Sequence, residues 1–309
     1  QSNSNIGIGY GAGKCNTTGG QNVFIAGGGG NTTGASNTAV GYQALRCNTT
    51  ASCNTALGVQ ALNLNTTGGC NTAIGVTALG STTTGYGNIA MGFESMLGNT
   101  TGHYNVGIGH RALHSNTTAF RNVAIGYESQ YSGITACYNV SMGYGTLYGN
   151  TANDTTAIGY RALNSNSTGT NGTALGSCAL LVNTTGANNT AIGMDALAAN
   201  STGGFNTAVG NRAGNQTTTG ICNVFLGNTS GDGNTTGSCN IAVGVNANTG
   251  NFSGVVAIGY DATATADNQF VVGSSTVNAG AVTAEGGDVT HTWTVRINGV
   301  NYKILMQQV

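Results

Sequence analysis

The residues able to do acid–base, metal or thiol chemistry are few, and they keep one spacing. Glu94, Arg111 and Glu128 follow one another at intervals of 17, as do Asp195 and Arg212. Cys53 and Cys70 stand 17 apart, and so do Cys222 and Cys239. Two carboxylates flanking a glycosidic bond make a glycosidase, and an inverting enzyme holds them roughly 6.5–9.5 Å apart. If 17 residues form one layer of stacked strands, Glu94 and Glu128 lie two layers apart, roughly 9.6 Å. Arg111 then stands between them. Alternating signs up a stack, with Arg212 following Asp195 in the same way, read as opposite-charge cross-strand pairs rather than as acid and base. No catalytic residue is assigned.

His103, His110 and His114 fall within about one repeat. No second carboxylate or cysteine joins them at metal-ligand spacing, CxxC is absent, and no metal or cofactor site is assigned. Surface or stacked imidazoles are the expectation. The glycines never form a strand–loop–helix phosphate site, and the glycine run at 27–30 reads as an irregular loop before a shortened coil. Stacked layers put the Cα atoms of Cys53 and Cys70, and of Cys222 and Cys239, about 4.8 Å apart, within disulfide range. Bridges there would imply an oxidising, extracellular setting. Cys47 competes for Cys53, while Cys15, Cys137 and Cys178 have no evident intrachain partner.

Composition narrows the class further. Charged residues are 6% of 309, against about 25% in an ordinary domain. Eight Lys and Arg face nine Asp and Glu, so no basic excess exists to neutralise nucleic-acid phosphates. Glycine numbers 53 without a three-residue period and proline is absent, which excludes collagen. No apolar run approaches the roughly 20 residues of a membrane-spanning helix, so no membrane insertion is expected. The N-terminal QSNSNIGIGY shows no signal-peptide pattern.

What must position these residues is a tandem repeat. An aliphatic residue followed in almost every copy by glycine recurs at Ile8, Ile25, Val40, Leu57, Ile74, Met91, Ile108, Ile125, Met142, Ile158, Leu175, Ile192, Val209, Leu226, Val243, Ile258 and Val272. Most intervals are 17; Ile25 to Val40 is 15, Met142 to Ile158 is 16, and the last two are 15 and 14. Glycine or asparagine interrupts every few residues, so no helix period survives, and short strands joined by turns fit instead. Such a unit buries no core alone and must stack on its neighbours. The predicted fold is all-β: a parallel β-solenoid of about 17 coils, roughly 77 Å long at strand spacing.

Counting from these anchors, position −3 is an asparagine column: Asn37, Asn54, Asn71, Asn88, Asn105, Asn122 and Asn139. It is expected to form an amide ladder. Position +8 carries Asn16, Asn48, Asn65, Asn99, Asn116, Asn166, Asn183 and Asn200, in turns where asparagine tolerates left-handed backbone. Each also opens an N-x-S/T sequon and is a candidate glycan site in a secreted chain. Position +5 is aliphatic, from Leu45 and Leu62 to Leu197, and this column with the anchors is the expected core. Position +2 carries Tyr42, Phe93, Tyr127, Tyr144, Tyr160 and Tyr260, for intercoil stacking or carbohydrate contact. Threonines at +9 and +10 resemble an ice-binding array, but adjacent positions point to opposite sides. The solenoid is assigned to 1–277. Residues 278–309 alternate around Asn298-Gly299, a strong hairpin signal, and are read as a C-terminal cap or assembly segment.

The repeats NTAVGYQAL and NTAIGVTAL followed by NTTG resemble the head repeats of YadA-like trimeric autotransporter adhesins, and equally the repeat regions of bacteriophage tail fibres. The likeness covers about residues 5–275. It implies a left-handed β-roll assembled as a homotrimer. The unit here is longer than is usual in the family, and neither a coiled-coil stalk nor a membrane anchor is recognisable. The expected function is therefore a non-enzymatic structural fibre, extracellular, at a cell surface or on a virion. Its partner would be itself, as a trimer and possibly a head-to-tail filament. The alternatives are an adhesin head gripping a surface glycan or receptor, an ice-binding solenoid and, last, a polysaccharide-cleaving spike.

Overall fold

A computed structural model describes residues 4–273 and the backbone of 291–297 and 300–306. Seventeen strands of three residues each run from β1 (Ile6–Ile8) and β2 (Val23–Ile25) through β9 (Val140–Met142), β10 (Thr156–Ile158) and β14 (Val224–Leu226) to β17 (Phe270–Val272). Each pairs in parallel with the next in the chain, so one repeat is one coil of a β-solenoid. Every anchor is the last residue of its strand. The irregular intervals leave the register intact: Met142 pairs with Ile158 across the shorter coil between β9 and β10, and Ile25 with Val40 across the still shorter one between β2 and β3. Among the described residues there is no helix.

The core differs from the expectation. The anchors point outward: Leu57 is 46% exposed, Ile158 39% and Ile192 37%. A three-residue strand has one inward side chain, its centre, because successive side chains alternate faces. That centre is alanine in most coils, including Ala39, Ala56, Ala73, Ala157 and Ala191, all fully buried. Alanine at +4 and leucine or methionine at +5 complete the core. The coil is too narrow for an inward anchor as well.

Position +5 lies in left-handed backbone. Leu45, Leu62, Leu79, Met96, Leu113, Leu147, Leu163, Leu180 and Leu197 have φ between +49° and +54°. That costs each about 1 kcal/mol, and burying a leucine returns about 1.5–3 kcal/mol. Glycine at +1 is imposed by stacking: at Gly58, with φ +137°, a Cβ would strike the carbonyl of Gly75 one coil on.

Phenylalanine takes the strand centre in two coils, β2 and β14, where glycines replace the inward leucine beside it. Phe225 in β14 fills the space above Gly214 and beside Gly231, and Phe24 in β2 does the same between Gly13 and Gly28. The glycine run at 27–30 is thus the shortened coil itself, not a loop preceding it.

The chain also contains an antiparallel hairpin, β18 (His291–Ile297) and β19 (Val300–Met306), in which Ile297 opposes Val300 and Trp293 opposes Ile304. This register makes Asn298-Gly299 a two-residue connection. Asn298 and Gly299 themselves, residues 278–290 of the assigned cap, and the 277/278 boundary lie outside the described residues.

Candidate functional site: the outward faces of the rod

The strand face is an outward stripe of two columns. Position −2 is β-branched in every coil but the last: Val23, Thr38, Thr55, Thr72, Ile89, Val106 and so on to Val256, then Phe270. Position 0 is the aliphatic anchor. No charged residue occurs in either column over all 17 strands. Each strand sits one spacing, about 4.8 Å, above the last, and the two columns stand ~6.7 Å apart. The face is therefore about 77 Å long and, with side-chain breadth, about 10 Å wide.

The next side, from +2 to +6, carries rings and charges. Phe93, His110, Tyr127, Tyr144 and Tyr160 stack in series at centroid distances of 5.2, 5.0, 5.0 and 5.5 Å. His114, Tyr131 and Tyr148 form a second ladder at +6, at 4.8 and 5.1 Å. Tyr86, His103 and Phe120 form a third at −5, at 4.9 and 5.1 Å. His103, His110 and His114 are thus all ladder members, and among the described residues no group of three metal-ligating side chains gathers. Rings stacked this way cover one another's faces and present edges to solvent. The faces needed for carbohydrate stacking are free at ladder ends and at Tyr42 and Tyr260, which are exposed outside these ladders.

Between the ladders lies the charge column. Arg111 Nε donates to Glu94 Oε2 at 2.7 Å, and His114 Nε2 lies 3.6 Å from the same oxygen. The hydrogen bond to Glu94 raises the Arg111 pKa. His114 is lowered, because burial outweighs the attraction of Glu94. Glu94 and Glu128 are thus separated by a guanidinium bound to one of them. Arg212 departs from the expected pairing: its partner is Asp232, at 3.8 Å, rather than Asp195.

Both asparagine columns are internal. At −3, Asn54 N–H donates to Asn37 Oδ1 at 3.0 Å, and Asn37 Nδ2 donates to the Ala51 carbonyl at 2.9 Å. The same pattern passes through Asn71, Asn88, Asn105 and Asn122 to Asn139, which accepts from Thr155 N–H at 2.9 Å. At +8, Asn48 Nδ2 donates to Asn31 Oδ1 and to Ala51 O, and Asn65 Nδ2 to Asn48 Oδ1. Asn166, Asn183 and Asn200 continue the pattern. Asn99 Nδ2 reaches Thr82 Oγ1, Asn116 accepts from Ala119 N–H, and Asn16 accepts from Asn31. The candidate glycan amides from Asn48 to Asn200 are therefore buried in the turn, and a sugar on a ladder Nδ2 would displace its bonds. Threonines at +9 are also committed: Thr49 and Thr66 hydroxyls donate to the next coil's carbonyl, which removes one column of the imagined threonine array.

All eight cysteines are free thiols. Cys53, Cys70, Cys222 and Cys239 are exposed at −4, in left-handed backbone. No bridge joins Cys53 to Cys70 or Cys222 to Cys239 in this structure.

The outward stripe was missed because hydrophobicity placed the anchors inside. Its signal is present in the alternation Thr-Ala-Ile, with the smallest residue central. No family model and no curated protein matches the chain.

Proposed function

We propose that the protein is a non-enzymatic structural fibre, a rod whose copies pack side by side through the strand face, outside the cell or on a virion. The charge-free outward stripe carries this reading. A face about 77 Å by about 10 Å gives close to ~800 Å², the contribution of one partner to a standard protein interface. The anchor column is aliphatic throughout and the −2 column beside it is threonine in seven strands and apolar in the rest; an exposed apolar stripe of this length marks an interaction site. A nearly neutral chain adds little repulsion between neighbours. The resemblance to YadA-like heads and tail fibres supplies the number three, and the C-terminal hairpin serves as the stop on strand pairing. The short loops carry no insertion of the kind an enzyme or adhesin adds.

The test is native mass by light scattering on the full chain and on a triple variant, Leu57→Glu, Ile158→Glu and Leu226→Glu. Wild type is expected at three chains and the variant at one. Thr67→Glu with Thr202→Glu, exposed on another side, should leave the mass unchanged. A monomeric wild type overturns the reading.

A further inference from the structure

The shortened coil opens a cleft of about 510 Å³ on the side that runs from +2 to +6. Its walls are Tyr10 and Tyr42, which hold position +2 in the coils below and above, and Lys14 and Arg46, which hold position +6 there. Its floor is Gly27, Gly28, Gly29 and Gly30. The shorter chain path draws this coil inward. A Cβ at Gly27 would meet the Ala44 carbonyl and Ala39 Cβ of the core, and one at Gly28 would meet the Phe24 ring. At Gly29 a Cβ would meet only the Gly11 carbonyl oxygen, at 3.8 Å, an ordinary contact, so a side chain has room there.

The cleft is a gap in the same +2 column that carries the ring ladder farther along the rod. His110 lies between Phe93 and Tyr127 at 5.2 and 5.0 Å. Gly27 holds the equivalent place in the column between Tyr10 and Tyr42, whose backbones are two coils, or about 9.6 Å, apart and whose side chains are both exposed. The slot therefore has the height of one ring. The charges are of one sign. Lys14 and Arg46 are the sole charged residues before Glu94, both line this cleft, and neither forms an ion pair among the described residues. Two exposed cations with no acid nearby create a local site for an anion. The rim is polar: the Gln43 amide reaches the Tyr42 hydroxyl at 3.2 Å.

We propose that this cleft binds an acidic sugar residue, a uronate or a sulfated pyranose. The ring occupies the vacant rung between Tyr10 and Tyr42. Its carboxylate or sulfate meets Lys14 and Arg46, and its hydroxyls meet the Gln43 and tyrosine rim. A neutral sugar forgoes the two cations. A flat aromatic acid forgoes the rim.

The test is nuclear magnetic resonance or calorimetric titration of the full native assembly with three probes: a glucuronate-containing tetrasaccharide, neutral maltotetraose and naphthoate. Saturable binding of the uronate is expected, with neither other probe matching it. Lys14→Gln with Arg46→Gln should weaken binding by about tenfold. So should about 1 M sodium chloride, where screening acts within ~3 Å. Tyr42→Ala should weaken it, and Gly29→Tyr should abolish it by filling the slot, each with an unchanged melting curve. If Gly29→Tyr fails to fold, the two surface charge substitutions decide alone. No uronate binding, equal binding of maltotetraose, a preference for naphthoate, or indifference to the charge substitutions would overturn the assignment.

Discussion

At the scale of the residue, the interior amides decide where the rod is well made and where it is not. The +8 ladder breaks where threonine replaces asparagine. Thr82 leaves Asn65 Oδ1 without a donor, and Thr217 leaves Asn200 Oδ1 in the same state. Thr82→Asn and Thr217→Asn restore a donor to each, and each should stabilise by about 1 kcal/mol, read as a rise in melting temperature. His114 sets a pH response. Its folded pKa lies below the ordinary value of about 6.5, so the unfolded chain binds the extra proton. Stability should therefore be complete above about pH 6.5 and fall with acidification toward the lowered value. His114→Phe, which keeps a ring against Tyr131, should remove that part of the slope in urea melts between about pH 5 and 7. The thiols offer a third check. Cys53, Cys70, Cys222 and Cys239 should react with a maleimide without prior reduction, and protection until a reductant is added would show that these pairs are bridged. The sequence revealed both asparagine columns and the charge column, since type and spacing suffice for those. It did not reveal that Arg212 turns to Asp232, because that depends on side-chain reach between coils.

At the scale of the element, each coil solves one packing problem with interchangeable parts. Leucine at +5 and alanine at the strand centre fill the same volume as glycine at +5 and phenylalanine at the centre. Phe225→Ala leaves the space beside Gly214 and Gly231 empty and should cost about 3–5 kcal/mol. Adding Gly214→Leu and Gly231→Leu should recover much of it, since φ at both glycines, +58° and +66°, is close to that of the buried leucines. Hydrogen exchange in the neighbouring coils is the appropriate readout, because stability in a repeat array is local. Failure of the triple variant to regain protection would show that phenylalanine does more than fill volume. Strand existence and the hairpin were legible from periodicity and from Asn298-Gly299. Strand facing was not: with three residues per strand, one alternation is all the pattern there is, and the larger residue at position 0 misleads.

At the scale of the whole molecule, an outward aliphatic stripe on a chain with 6% charge leaves the rod with one side unlike the others. In the proposed assembly, lateral packing of copies covers that side. The repeat count and the rod length follow from the sequence arithmetic; self-association is the proposal built on them. The face proposed to associate needed the coordinates. The direct measurement is mass per unit length of unstained native particles by scanning transmission microscopy. The account predicts rods about 77 Å long, from the strand spacing, or multiples of that length, carrying three times the mass per length of a single chain. Rods with the mass per length of one chain, however long, would contradict it.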